Sequence, residues 1–247
     1  MNASSAFPAE PAAPARASAP RRILVWDAPV RLFHWLAVLC FAGAWLTAES
    51  ERFRLVHVSL GYTLVGLVVF RLLWGLVGTR HARFATFVRG PAAVGRYLLA
   101  LLRGRPEHHV GHNPAGALAI VALLGLSLVV GLTGWAAYND VFGSWMEELH
   151  EGVASAMLAV VVLHVVGVVV SSRLHRENLV GAMVSGRKPG PPDAAAGGPR
   201  RGVAIVVLAA VAAFWWLQWQ SAPPAGAAGG HRATVAAAAH GHDHDDD

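Results

Sequence analysis

The chain is short of charge and nearly devoid of lysine and cysteine. Asp, Glu, Lys and Arg make up 14% of its 247 residues, against about 25% in an ordinary soluble domain. Lys188 is its only lysine. Hydrophobic residues reach 55% and the mean hydropathy is +0.45, a balance that excludes a typical soluble globule and indicates an integral membrane protein. Cys40 stands alone, so there is no intramolecular disulfide, no cysteine-ligated iron–sulfur cluster and no C-x-x-C-H for covalent haem attachment. The formal charge is +5 and the pI about 10.3. The positive residues punctuate apolar runs instead of gathering with aromatics on a soluble face, so a bilayer is the expected partner and nucleic acid is not.

Against these absences stand five apolar runs, at 30–48, 55–77, 115–137, 147–172 and 203–217. A membrane crossing takes about 20 residues. The first four runs predict a four-span domain over 23–188, and the shorter fifth an appended transmembrane helix within 203–219. Residues 1–22 are Ala/Pro-rich, without the continuous apolar core of a signal peptide, and read as a disordered tail. "SGRKPGPPDAAAGGPR" predicts a Pro/Gly linker over 189–202, and 220–247 a disordered His/Asp-rich tail. In "WDAPVRLF", Asp27 followed by Pro29 is a helix-start signal and sets the first helix to begin near 28.

Topology follows from the arginines. Sixteen of the twenty Lys and Arg lie before span one, between spans two and three, or between spans four and five. "YNDVFGSWMEE", between spans three and four, has acids but no Lys or Arg. The positive-inside rule then puts the N-terminus in the cytoplasm of a bacterial inner membrane and, with five spans, the C-terminus in the periplasm.

That orientation gives depth to four histidines inside the spans. His57 and His150 fall at the outer level, His34 and His164 at the inner. Fourteen residues separate His150 from His164, which at about 100° per residue brings both to one helix face, within about 40°, and about 21 Å apart along the axis. Such a gap suits two stacked sites rather than one ion. Intramembrane ionisable groups are costly and default to a functional reading, here the pairs His34 with His164 and His57 with His150. Zinc would need further ligands, and no Cys, Asp or Glu is available at the inner level. Haem needs two axial ligands and an apolar envelope. Gly43, Gly61, Gly66, Gly125, Gly131, Gly134, Gly152 and Gly167 would let a flat ring approach the backbone, though such glycines are also ordinary in membrane helices. Arg71, fourteen residues after His57, is either a partner for an inner propionate or an arginine snorkelling to the headgroups. His81, His108, His109, His112 and His175 lie in inner loops, where headgroup contact is the simpler account and a quinone pocket the alternative.

The stretches "VWDAPVRLFHW", "HVSLGYTLVGLVVFRLLWGLVGTRHARF", "FVRGP", "GHNPAGAL", "EELHE" and "LHVVGVVVSSRLHRENLVGAM" resemble, in that order, the bacterial cytochrome b561 family and the nickel–iron hydrogenase b-type cytochrome subunits. The resemblance covers about 23–188. It implies an all-α integral membrane protein, a four-helix transmembrane bundle holding two non-covalent b-type haems, with His34/His164 and His57/His150 as axial pairs.

An iron with two imidazoles has no vacant position for dioxygen, which leaves electron transfer. The expected function is transfer between the quinone pool and a protein redox partner, for which the resemblance offers a hydrogenase, a cytochrome c or another periplasmic redox protein. Superoxide oxidation with quinone reduction is the alternative within the same family. From another class comes divalent-metal handling, supported by the terminal "HGHDHDDD", but the first four spans lack the mid-membrane carboxylates of a metal path.

Overall fold

The computed structural model describes residues 21–104 and 110–221; the tails expected before 21 and after 221, with His108 and His109, lie outside them. The described chain is helical apart from one two-stranded ribbon. In order it runs β1 (Arg22–Leu24), α1 (Ala28–Thr47), α2 (Arg54–Val77), α3 (Phe84–Phe87), α4 (Pro91–Leu102), α5 (Pro114–Tyr138), α6 (Trp145–Leu174), α7 (Leu179–Ser185), β2 (Arg187–Pro189) and α8 (Arg201–Ser221). Helices α1, α5, α6 and α8, and α2 with the short turn that leads into it, are each long and apolar enough to cross a membrane. The protein is an all-α, multi-pass membrane protein.

Local chemistry sets where the helices start. Asp27 caps α1 by accepting a hydrogen bond of 2.9 Å from Val30 N, with Pro29 in the first turn. Asn113 does the same for α5, accepting from Gly116 N at 2.7 Å ahead of Pro114. These are the cap-plus-proline starts that satisfy orphan N–H groups and preset φ. Helix α4 lies in the segment read from sequence as a basic loop. Its twelve residues span about 18 Å, short of the hydrocarbon core of about 30 Å, and it rests on α5.

The spans pair as α1 with α2 and α5 with α6, and α2 joins the two hairpins by packing on α5. Their common core is Cys40 of α1, Leu64, Leu67 and Val68 of α2, Leu124 of α5 and Met157 of α6. Met157 falls seven residues from both His150 and His164, so the core fills the middle of the bundle and leaves the histidine levels above and below it. The backbone of α6 packs on α5 and α7 and makes no comparable approach to α1 or α2. Of its thirty residues only Met146 and Met157 are buried.

Two expectations need correction. The fifth span is not short: α8 has 21 residues, about 32 Å of helix, because Gln218 and Gln220 continue the helix past the apolar run. Nor is it merely appended. It lies against α1 and α2, and Trp215 Nε1 donates to Thr63 Oγ1 at 3.0 Å.

The segment 189–202 is likewise no free linker. β2 pairs antiparallel with β1 in the register Ile23 to Lys188. Ala196 N donates to Leu24 O at 2.7 Å and Ala28 N to Pro199 O at 2.9 Å. A small second core forms from Ile23, Val25, Trp26, Ala182 and Ala194. These contacts make a cap over the end of the bundle where α1 begins and α6 ends. Gly186, at φ 78° after α7, accepts from both Val25 N and Trp26 N; a Cβ there would lie 2.6 Å from Trp26 O.

Candidate functional site

At the end opposite the cap, His57 of α2 and His150 of α6 face each other with ring centroids 6.1 Å apart and ring planes at 81°. His57 Nδ1 lies 2.9 Å from Ala44 O of α1, and His150 Nδ1 lies 3.1 Å from Val130 O of α5. A carbonyl only accepts, so each Nδ1 carries the proton and each Nε2 keeps its lone pair. Thr133 Oγ1 is a further 3.3 Å neighbour of His150 Nδ1. Each imidazole is thus aimed by a neighbouring helix, the outer-shell arrangement that fixes a ligating histidine's tautomer and orientation. Gly134 makes room for one of them: a Cβ there would sit 2.8 Å from His150 Cε1.

At the cap end lie His34 of α1 and His164 of α6, both half-buried. His34 Nδ1 is buried with no hydrogen-bond partner among the described residues, and its ring meets Trp35 edge-on at 5.0 Å. Arg71 stands on the same side. It does not snorkel: it is 3% exposed, with Nη2 donating to Ala82 O at 3.0 Å and the guanidinium carbon 4.8 Å above the Phe84 ring. Phe84 closes over α2 at Gly75, where a Cβ would collide with its ring. Arg71 Nη1 is buried and unpartnered among the described residues, a costly state for a cation unless an anion comes to it.

The loop histidines of the cap are not simple headgroup contacts. His81 Nε2 bonds Ala194 O at 2.7 Å. His112 lies between Trp26 and Phe87, with centroids 4.4 Å away on both sides, and its Nδ1 is buried without a hydrogen-bond partner among the described residues. Burial, then the positive charge of Arg71 and the neighbouring His81 and Lys188, pushes its pKa down to about 3. His175 closes the last turn of α6, its N–H on Ser171 O at 3.0 Å. His108 and His109 fall outside the described residues.

Sequence reasoning missed the residue that organises this end. Asp27 is fully buried; besides capping α1, its Oδ2 accepts from Trp74 Nε1 at 3.0 Å and Thr79 Oγ1 at 2.7 Å. The cap motif around Asp27 was visible, but its partners lie 47 and 52 residues away.

The geometry can be tested against haem. Two metal–nitrogen bonds of about 2 Å, plus about 1 Å from each nitrogen to its ring centroid, place two axial imidazoles about 6 Å apart, and the His57–His150 pair stands at 6.1 Å. Among the described residues no three His, Cys, Asp or Glu side chains gather as a metal site, so a metal between His57 and His150 would draw its other ligands from a macrocycle. The backbone of α6 stands farther from α1 and α2 than from α5. At Gly61, one turn after His57, and at Gly167, one turn after His164, a Cβ would meet nothing within 4 Å. Not every glycine serves a ring: Gly43 and Gly131 admit Leu60 and Val65 from α2.

A facing pair of imidazoles inside an apolar membrane bundle is an arrangement suited to a haem. Residues 25–186 match the family model described as prokaryotic cytochrome b561, and the chain belongs to that family. It is a membrane protein of the cytochrome b type.

Its relatives include the "Probable Ni/Fe-hydrogenase 1 B-type cytochrome subunit" of Escherichia coli K12, 30% identical over 142 residues, which are 47% of this chain and 60% of that protein. The "Probable Ni/Fe-hydrogenase B-type cytochrome subunit" of Rhizobium leguminosarum bv. viciae is 25% identical over 67% of this chain and 88% of its own length. That of Azotobacter vinelandii is 28% identical over 66% and 87%. The chain thus spans about three fifths of the length of the Escherichia coli relative. No solved structure matches.

Proposed function

We propose that the bundle holds two haem b groups, one between His57 and His150 and one between His34 and His164, and relays electrons across the inner membrane between the quinone pool and a protein redox partner. Bound haem supplies a one-electron ferric–ferrous couple at each level. Ala44 O and Val130 O hold two imidazoles in the ligating tautomer. Arg71 offers its buried Nη1 to a propionate at the cap end. The core around Met157 separates the levels and keeps water out of the middle.

The orientation rests on charge: with sixteen of twenty basic residues on the N-terminal and cap side, that face is cytoplasmic and the His57–His150 level periplasmic. The names of the relatives point to a hydrogenase as the redox partner.

The observation that carries the proposal is the 6.1 Å facing of His57 and His150 with both Nδ1 atoms tied to carbonyls. Purified protein, reduced minus oxidised, should show b-type bands, and a pyridine haemochrome assay should count two haems per chain. A count of one, or none, overturns the two-site reading. Reduction by quinol and by hydrogenase, assayed separately, tests the two ends of the relay.

A further inference from the structure

Outside the histidine levels, the cap surface carries an open pocket of about 270 Å³ lined by Arg22, Arg176, Glu177, Asn178, Arg187 and Lys188, with Ala182 and Pro189 beside them. Its cations come from three separate segments: β1, the turn after α6, and β2. The pairing of Arg22–Leu24 with Arg187–Pro189 is what brings them to one place. The lining has a single carboxylate, Glu177, whose Oε2 lies 2.8 Å from Lys188 Nζ. With that ion pair formed, three arginines remain, and the lining carries a formal excess of three positive charges.

Like charges gathered around a concavity repel, and an anion placed between them removes the repulsion. The chain holds the arginines there against local preference. Arg176 has φ 50°, a left-handed conformation that side-chain-bearing residues disfavour. Arg22 is steered by a 3.5 Å contact from Nη2 to Arg187 O. The Asn178 amide oxygen is engaged by Gly181 N at 2.6 Å, which leaves its NH₂ group as the donor the side chain can offer. Guanidinium forks match the oxygens of a phosphate.

Depth names the source. Helix α6 ends at Leu174, and Arg176 follows two residues later, at the level where hydrocarbon gives way to headgroups.

We propose that this pocket binds the headgroup phosphate of an anionic phospholipid at the cap-side membrane surface, with Arg22, Arg176 and Arg187 as its receptors. A lipid seated there would clamp the β1–β2 ribbon to the end of the helix that carries His150 and His164. Basic pockets at helix ends on the cytoplasmic side are suited to such headgroups.

The test uses the full-length, haem-loaded protein, with phosphatidylglycerol in phosphatidylcholine nanodiscs as the probe and glycerol phosphate as the soluble counterpart. Lipid phosphorus retained after detergent exchange is measured for the wild type, Arg176→Gln, the triple variant R22Q/R176Q/R187Q and, as a surface control, Arg103→Gln. Haem absorbance reports folding in each. The wild type and Arg103→Gln should retain phosphatidylglycerol over phosphatidylcholine, and each pocket arginine removed should weaken retention about fivefold. Equal binding of glycerol phosphate, with no preference for phosphatidylglycerol bilayers, keeps the phosphate site and assigns it to a soluble ester. Retention unchanged in Arg176→Gln and in a haem-loaded triple variant overturns the proposal. So does a pocket that binds neither probe, which would leave an acidic protein segment as its occupant.

Discussion

Asp27 and Trp74 meet across 47 residues of sequence, the indole N–H on the carboxylate at 3.0 Å. The contact locks the start of α1 to the end of α2, and Thr79 and the Val30 N–H complete the carboxylate's partners. Asp27→Ala strips three buried donors of their acceptor. Losing a buried charged acceptor costs about 3 to 5 kcal/mol. Thermal unfolding in detergent should show a large loss for Asp27→Ala and a smaller one for Asp27→Asn, which keeps an acceptor oxygen. Equal melting of wild type and Asp27→Ala would refute the latch.

The two histidine levels predict separable losses. His164→Leu and His34→Leu should each lower the haemochrome count from two to one, and by the same spectral component. His57→Leu and His150→Leu should remove the other component. Pairing fails if His34→Leu and His57→Leu delete the same one. Because Met157 and the core around it lie between the levels, the surviving haem should keep its spectrum in every case.

Gly134 gives a steric test of the same site. A methyl group at this position would fall 2.8 Å from His150 Cε1, inside van der Waals contact and against a ring held by Val130 O. Gly134→Ala should therefore reduce occupancy of the His57–His150 site and leave the cap-end haem in place. Gly152→Ala, on the same helix as His150 but with nothing within 4 Å of its Cβ position, serves as the control and should bind both haems normally.

The parts legible in the sequence are those written along one helix or through the thickness of the membrane. Spans follow from apolar length, and the meeting of His57 with His150 follows from depth plus helical phase, since residues at matching depth on adjacent helices have little choice of neighbour. What stayed hidden depends on contacts between distant segments. Nothing near Arg22 announces that it pairs with Pro189, and "PGPPDAAAGGP" has the composition of a linker although Ala194 and Ala196 are buried. Arg71 was ambiguous for the same reason: whether an arginine snorkels or stays buried depends on Phe84 and Ala82, which reach it by a turn that sequence does not specify. Nothing in the sequence around Trp215 shows that Thr63, 152 residues away, accepts its N–H.

That last contact makes a modest prediction. Hydrogen bonds between membrane helices contribute about 0.6 to 1.7 kcal/mol, so Trp215→Phe should lower the melting temperature slightly, and Thr63→Val to a similar degree. The double variant should cost little more than either single one, because both remove the same bond. Full additivity would mean that α8 is held by packing alone.

His112 predicts a pH dependence with a definite sign. Its folded pKa is depressed to about 3, against about 6.5 for a free imidazole. Between those values the unfolded chain binds a proton that the folded one refuses, so stability rises with pH through this window. The contribution of neutral His112 is fully present above pH 6.5 and is lost as the pH falls toward 3. One group can supply a slope of at most about 1.4 kcal/mol per pH unit. His112→Phe keeps a ring between Trp26 and Phe87 but removes the titration. Carboxylates titrate over part of the same range in both proteins, so the informative quantity is the difference between the two curves. Wild-type minus variant stability should fall as the pH drops from 6.5 toward 3 and stay flat above 7. A difference that is flat throughout would mean that His112 takes up a proton in the folded protein as readily as in the unfolded chain, and that Trp26 and Phe87 do not shield it from water.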